Sequence, residues 1–403
     1  MFGFTAVQMF VIFTAIFVAL YWMIPYKYRW VPMVLLTFAY AWLAYNMVPY
    51  DTDDVVNYMG MFDGYKEYGW DGMKWHIEDD HFDLKTFRVP AYYLFILSKL
   101  FKDSSIVPAA TIFIVYALAF SVLYKASKKF EVDKLHLFFG LMFFISTYWY
   151  YDVASGTRNG LAFTIAFACA YQHLIEKKHI SLCIFGYIIA TFTHSSGLLP
   201  VLVALVAAFT FNYSGKFVNY LIYFGLFAGE SIIQFLASIT NIGFIEAIAN
   251  KSERYSVQYD SYYAGLTSFN VNVVTFIFVI LLLIYVSHYL LKQNQGKIEC
   301  VMLYKLCSLF LFFAIGCFFS RLIFVRLIRW IIPMIGGLLF MVGMQLQKSQ
   351  ENRDTSAYLT YYAPTAEMFR YRTRGVVFLV FTVYTAVHFW YAINGSSLIW
   401  LHF

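Results

Sequence analysis

Residues 154–175 read ASGTRNGLAFTIAFACAYQHLI, and the fold follows from what this stretch can be. Behind Arg158 an uncharged apolar run continues to Ile175, close to the roughly 20 residues that carry a helix across a bilayer. In front of it stand Ala154, Ser155 and Gly156, with Gly160 just behind, small residues that let another group approach the backbone. A cation at the end of such a span is solvated, paired or set against an anion, because an ionised group within a bilayer is costly. Snorkelling to the interface is the purely structural solution. An anionic ligand at the helix N-terminus, where free N–H groups and the positive dipole end coincide, is the functional one.

Similar runs recur along the whole chain: Val7–Ile24, Trp30–Val48, Ile106–Tyr124, Leu135–Tyr151, Ile180–Thr193, Gly197–Phe211, Phe217–Ala237, Val271–Leu291, Cys300–Phe319, Leu322–Met344 and Gly375–Tyr391. They predict an all-α polytopic integral membrane protein with about 11–13 transmembrane helices. Composition excludes the soluble classes: 61% of residues are hydrophobic and 13% charged, where a soluble domain would carry about twice that charge. The mean hydropathy is +0.64. A single transmembrane domain is expected over 1–403, with 49–105 forming an extended outer loop after the second helix. Within that loop, Pro90–Phe101 is amphipathic and expected at the interface. The first span lacks a basic segment before it and a small-residue cleavage site after it, and reads as a retained helix rather than a signal peptide.

The five cysteines, Cys169, Cys183, Cys300, Cys307 and Cys317, fall in or beside apolar spans without metal-ligand spacing and read as small core residues. The net charge of +6 is a topology signal rather than a mark of nucleic-acid binding. Lys27 and Arg29, Lys125 to Lys134, Lys177 and Lys178, Lys216, Lys292 and Lys297, and the group from Lys348 to Arg374 occupy alternate loops, which assigns those loops to the cytoplasm. Asp53, Asp54, Asp152, Arg158, His194 and Arg321 then share the opposite face. The outer loop from Asp51 to Arg88 carries ten carboxylates and four basic residues, interleaved with Tyr58, Phe62, Tyr65, Tyr68, Trp70, Trp75 and Phe82. Acid with aromatic suits either a carbohydrate-facing surface or a solvated loop.

His194 stands in THSSG, between spans too short for two ordinary crossings, which suggests a broken or re-entrant helix. A neutral imidazole there could accept a hydroxyl proton, or simply hold an interfacial hydrogen bond. Ser195 lacks the GxSxG setting of a hydrolase nucleophile. Asp53 and Asp54 could act as a base, hold a sugar hydroxyl or position an arginine; further metal ligands are not spaced around them. Arg321, Arg326 and Arg329 are five and three residues apart and cannot share one narrow helix face. One or two are expected at a site and the third paired or snorkelling, a set suited to a pyrophosphate.

The order of Asp53, Asp54 and Tyr58, then PAYYLFILSKLF (90–101), SGTRNGLA (155–162), FTHSSGLLP (192–200), RYSVQYDSYY (254–263) and an arginine-led span ending at Pro333 resembles the EpsG family of Wzy-like polysaccharide polymerases. Two departures stand out: Val89 occupies a position where relatives often carry Glu, and Asn159 follows Arg158 where Gln is usual. The resemblance implies a GT-C-like bundle acting as a metal- and cofactor-independent glycosyltransferase on the outer face of a bacterial cytoplasmic membrane. The donor would be a glycan on undecaprenyl diphosphate and the acceptor a second lipid-linked repeat unit, with other glycan assembly and export proteins as partners and capsule, O-antigen or exopolysaccharide as product. It implies His194, Asp53 or Asp54 as base, Arg158, Arg321 and Arg326 at the diphosphate, and Tyr58, Tyr92, Asp152 and Tyr255 at the glycan. A lipid-linked glycan flippase, a membrane O-acyltransferase and a scaffold subunit are the competing classes. No internal repeat favours the transporter.

Overall fold

The computed structural model describes residues 5–51, 53–79, 84–213, 216–228, 269–286, 297–317, 321–358 and 378–390, with single positions 232, 235, 239 and 375. Among them lie fifteen α-helices: α1 (Ala6–Met23), α2 (Trp30–Tyr45), α3 (Asp54–Glu78), α4 (Val89–Leu100), α5 (Ile106–Lys129), α6 (Lys134–Thr147), α7 (Tyr150–Gly156), α8 (Arg158–Tyr171), α9 (Ile180–Thr193), α10 (Ser195–Tyr213), α11 (Lys216–Phe227), α12 (Phe269–Val286), α13 (Ile298–Gly316), α14 (Arg321–Tyr358) and α15 (Phe378–Trp390). The chain is an all-α polytopic membrane protein. Among the described residues α1, α5, α13 and residues 328–349 of α14 are long and apolar enough to cross a membrane, and six apolar helices are shorter.

The shorter helices arise where polar residues interrupt apolar runs. The expected span Leu135–Tyr151 is divided at Tyr148 and Trp149 into α6 and α7. α8 continues through a π-helical turn, Gln172–Glu176, reaching about 28 Å in all, nearly the thickness of a bilayer core. The late span is longer than expected. α14 runs for 38 residues, about 57 Å at 1.5 Å per residue.

α14 is the post of the bundle. Ile331, Ile335, Leu338, Leu339, Met341 and Val342 are fully buried, and α6 packs along it while α5, α8, α12 and α13 also touch it. The α6–α14 crossing is set by small residues. A Cβ built on Gly140 would lie 2.8 Å from the Gly337 carbonyl oxygen, and one on Gly337 would lie 2.8 Å from that of Gly140. Only glycine at both positions lets the backbones meet, the usual device for joining helices in lipid, where apolar side chains gain nothing from leaving water.

Residues 49–105 hold a helical hairpin, α3 and α4, so a second helix joins the interfacial one expected there. Val55, Tyr58, Met61, Phe62 and Tyr65 form one face of α3 and are buried against Ala91, Leu94 and Leu97 of α4 and Val107 of α5. This core is separate from that of the bundle. The helix breaks at Gly69 (φ 62°, ψ −133°).

At the other end, Lys134 Nζ donates to the carbonyls of Trp22 and Ile24 at 3.0 and 3.1 Å. Lys348 Nζ pairs with Asp133 at 2.8 Å, and Lys129 with Glu299 at 3.2 Å. The basic loops after α1 and α5, the start of α13 and the middle of α14 therefore share one end, as the alternation of Lys and Arg requires. Asp133 also caps α6 through the His136 N–H at 2.9 Å. Burial would raise the Asp133 carboxyl, but the His136 N–H and the Lys348 ammonium outweigh it and hold the group below the usual carboxylate range.

Candidate functional site

The entry to α3 is tied to α7. Asp53 is the N-cap residue of α3 in extended conformation, and its Oδ2 accepts the Tyr50 N–H at 2.9 Å and the Tyr151 hydroxyl. Tyr50 and Tyr151 meet edge-on, with ring centroids 6.1 Å apart. Asp54 begins α3 and is exposed, where a carboxylate opposes the positive end of the helix.

α7 presents its one carboxylate to α14: Asp152 Oδ2 lies 3.1 Å from a terminal nitrogen of Arg329. The Arg329 guanidinium also lies over the Trp149 ring, 5.2 Å from its centroid. Of the three late arginines, Arg329 is thus paired. Position in the span is the signal that could have singled it out: it lies deepest in the apolar run, beside Trp330, where an unpartnered charge would be most costly. Arg321 and Arg326 lie within the first turns of α14. Their side chains are outside the described residues, as is the whole of Tyr255.

Between α7 and α8 the backbone turns at Thr157 (φ 23°, ψ −66°). Arg158 follows as the first residue of α8 and is only 8% exposed, its guanidinium 5.5 Å from the ring centroid of buried Tyr58. Such a cation–π contact contributes about 0.5–2 kcal/mol.

His194 is the one non-helical residue between α9 and α10, with φ −165° and ψ 154°. Its N–H donates to the Ala190 carbonyl at 3.3 Å and its carbonyl accepts the Gly197 N–H at 2.9 Å, so the break is a tight turn of a helical hairpin. A Cβ on Gly197 would lie 2.3 Å from the Ala190 oxygen and 3.1 Å from the Ala162 Cβ. That close approach sets His194 beside the first turns of α8. Its imidazole stacks on Phe87, centroids 6.0 Å apart.

The fold thus brings Asp53, Tyr58, Tyr151, Asp152, Arg158, Arg329 and His194 to the end of the bundle opposite the basic cluster. Tyr92 stands apart on the outer face of α4, 42% exposed and 6.4 Å from the ring of Trp70. The five cysteines form no disulfide, and four of them are buried. Among the described residues no three His, Cys, Asp or Glu side chains converge on a metal-sized site. The arrangement offers cations with hydrogen-bond donors beside carboxylates and an imidazole, a set able to hold an anionic leaving group and receive a hydroxyl proton.

A family model described as the EpsG family matches residues 30–365. No curated protein and no solved structure matches the chain.

Proposed function

Because the chain belongs to the EpsG family, we propose that it polymerises lipid-linked oligosaccharide repeat units, acting as a glycosyltransferase on a donor carried by undecaprenyl diphosphate. The observation that carries the reading is the position of Arg158, an almost fully buried cation at the N-terminus of α8. That position suits an anion better than a neutral sugar. Nearby Asp53, Asp152 and His194 supply the acceptor side.

In this reading an acceptor hydroxyl oxygen bonds to the anomeric carbon of the donor sugar as the bond from that carbon to the diphosphate oxygen breaks. The electron pair leaves with the diphosphate, whose charge is held by Arg158 with Arg321 or Arg326. His194, or alternatively Asp53 or Asp54, takes the acceptor proton. Arg329 holds Asp152 at the glycan. Tyr58 lines the floor beneath Arg158, and Tyr92 and Tyr255 contact the chain of sugars. Arginines do here what a metal does in many nucleotide-sugar enzymes. The site faces the outside of a bacterial cytoplasmic membrane because the basic loops lie at the opposite end. The product is a surface glycan, capsule, O-antigen or exopolysaccharide, made alongside other assembly and export proteins.

The test is gel separation of surface glycan from cells carrying wild type, Arg158→Ala or His194→Ala, with membrane levels of each protein matched. Collapse of the ladder to single repeat units is expected. An unchanged ladder removes the catalytic roles, and loss of the single units too would favour a flippase.

A further inference from the structure

We propose that Thr157 is a donor-binding residue whose hydroxyl hydrogen-bonds a non-bridging oxygen of the diphosphate at the N-terminus of α8; the inference rests on the polymerase reading above. Three observations converge on this residue. Its backbone lies at φ 23°, ψ −66°, a region that a β-branched side chain adopts only under strain. It is 3% exposed, and the buried Oγ1 has no hydrogen-bond partner among the described residues. Finally, it occupies the N-cap of a 14-residue helix without making the cap bond for which threonine is favoured there.

Each feature is unfavourable by itself, and they fall on one residue. If the chain needed only a turn between α7 and α8, Gly156 stands one position earlier and could take a positive φ without strain. If it needed only a filled volume, valine would supply the same shape without an unsatisfied hydroxyl. A threonine held in this state is accounted for by a ligand that completes it. Thr157 stands at the N-terminus of α8, next in sequence to Arg158. A phosphoryl group of the diphosphate at this point would accept from the hydroxyl, the helix N-terminus and the guanidinium together. The hydroxyl donates and keeps its proton, so no bond to Thr157 is made or broken.

The experiment measures binding of farnesyl diphosphate, with farnesyl monophosphate as control, to purified full-length protein in nanodiscs. Wild type, Thr157→Val, Thr157→Ser and Arg158→Lys are compared, each with its thermal midpoint. Thr157→Val is expected to weaken diphosphate binding about tenfold or more, while Thr157→Ser stays within about threefold of wild type. The ligand-free midpoint of Thr157→Val should equal or exceed that of wild type, because an unpaired buried hydroxyl has been removed. Wild-type affinity in Thr157→Val, with Arg158→Lys weakened, overturns the role of Thr157 and leaves the diphosphate reading standing. Equal losses in Thr157→Val and Thr157→Ser also overturn it, since packing rather than the hydroxyl would then matter. A wild-type protein that binds the two farnesyl phosphates equally overturns both readings.

Discussion

The two ends of the bundle treat their key polar residues differently, although backbone of positive φ occurs at both, at Glu131, Lys177 and His179 as well as at Thr157. At the basic end, Asp133 caps α6 and pairs with Lys348 and with His136, while Gln345 accepts the Asp133 N–H at 3.1 Å and faces His136 Nδ1 at 3.0 Å. Here Asp133 and Gln345 link α6 to α14, although the buried Gln347 Oε1 close by makes no hydrogen bond among the described residues. At the opposite end, Thr157 is strained and its hydroxyl unpaired, Arg158 is buried at a helix start, and His194 interrupts two helices. The same chain that caps a helix carefully in one place declines to do so in another. Where satisfied geometry was available in the repertoire of the sequence and was not used, binding rather than folding is the better explanation.

Substitutions at the two ends should therefore have different consequences. The largest effect is expected from Arg158→Ala and His194→Ala: roughly a hundredfold or greater loss of polymer at matched protein level, read from the glycan ladder. Arg158→Lys should lose at least tenfold, because a point charge does not replace a planar fork; full polymer yield would show that bidentate recognition is the wrong role. Gly337→Leu should fail differently, through loss of folded protein, since its side chain would drive α6 from α14. This is read as absent or aggregated material in size-exclusion chromatography. Arg329→Ala is expected to cost about tenfold in activity with protein still accumulating, because it releases Asp152. Smallest is Asp133→Asn, at about 0.5–1 kcal/mol, its ammonium partner being too exposed for more, with an unchanged ladder. The sign follows from the lowered Asp133 pKa. The carboxylate contributes stability above its unfolded value near 4 and loses it as pH falls through the still lower folded value, so the variant and wild type should converge in acid. If Asp133→Asn damaged the ladder as severely as Arg158→Ala, the contrast between the ends would be gone.

The sequence carried the bundle well because a bilayer imposes a long apolar period that is read directly. Ile180–Thr193 is both the expected span and the observed α9, and α1, α2 and α5 start within one residue of expectation. α3 was hidden. Gly60, Gly64, Gly69 and Gly72 lower its helix propensity, and its acids resemble a solvated loop, while the buried stripe of Val55, Tyr58, Phe62 and Tyr65 shows only when traced around a helix. At the site, Arg158, His194 and Asp53 were legible as polar residues beside apolar spans. The partnership of Asp152 with Arg329 was not, because it joins residues far apart in the chain through the α7–α14 geometry. Nor was Thr157, since neither strain nor a missing partner is written in a residue type.

The separate core of the α3–α4 hairpin has a consequence for how such a protein can diverge. Side chains such as Met61, Phe62 and Leu94 pack among themselves and on the first turns of α5, so a change in one is absorbed within the hairpin and not transmitted to the glycine crossing of α6 and α14. Asp53 and Tyr58, through Tyr151 and Arg158, tie the hairpin to the site. Its exposed surface around Trp70 and Trp75 can therefore change without disturbing the post or its crossing, giving room for new surfaces beside a fixed scaffold.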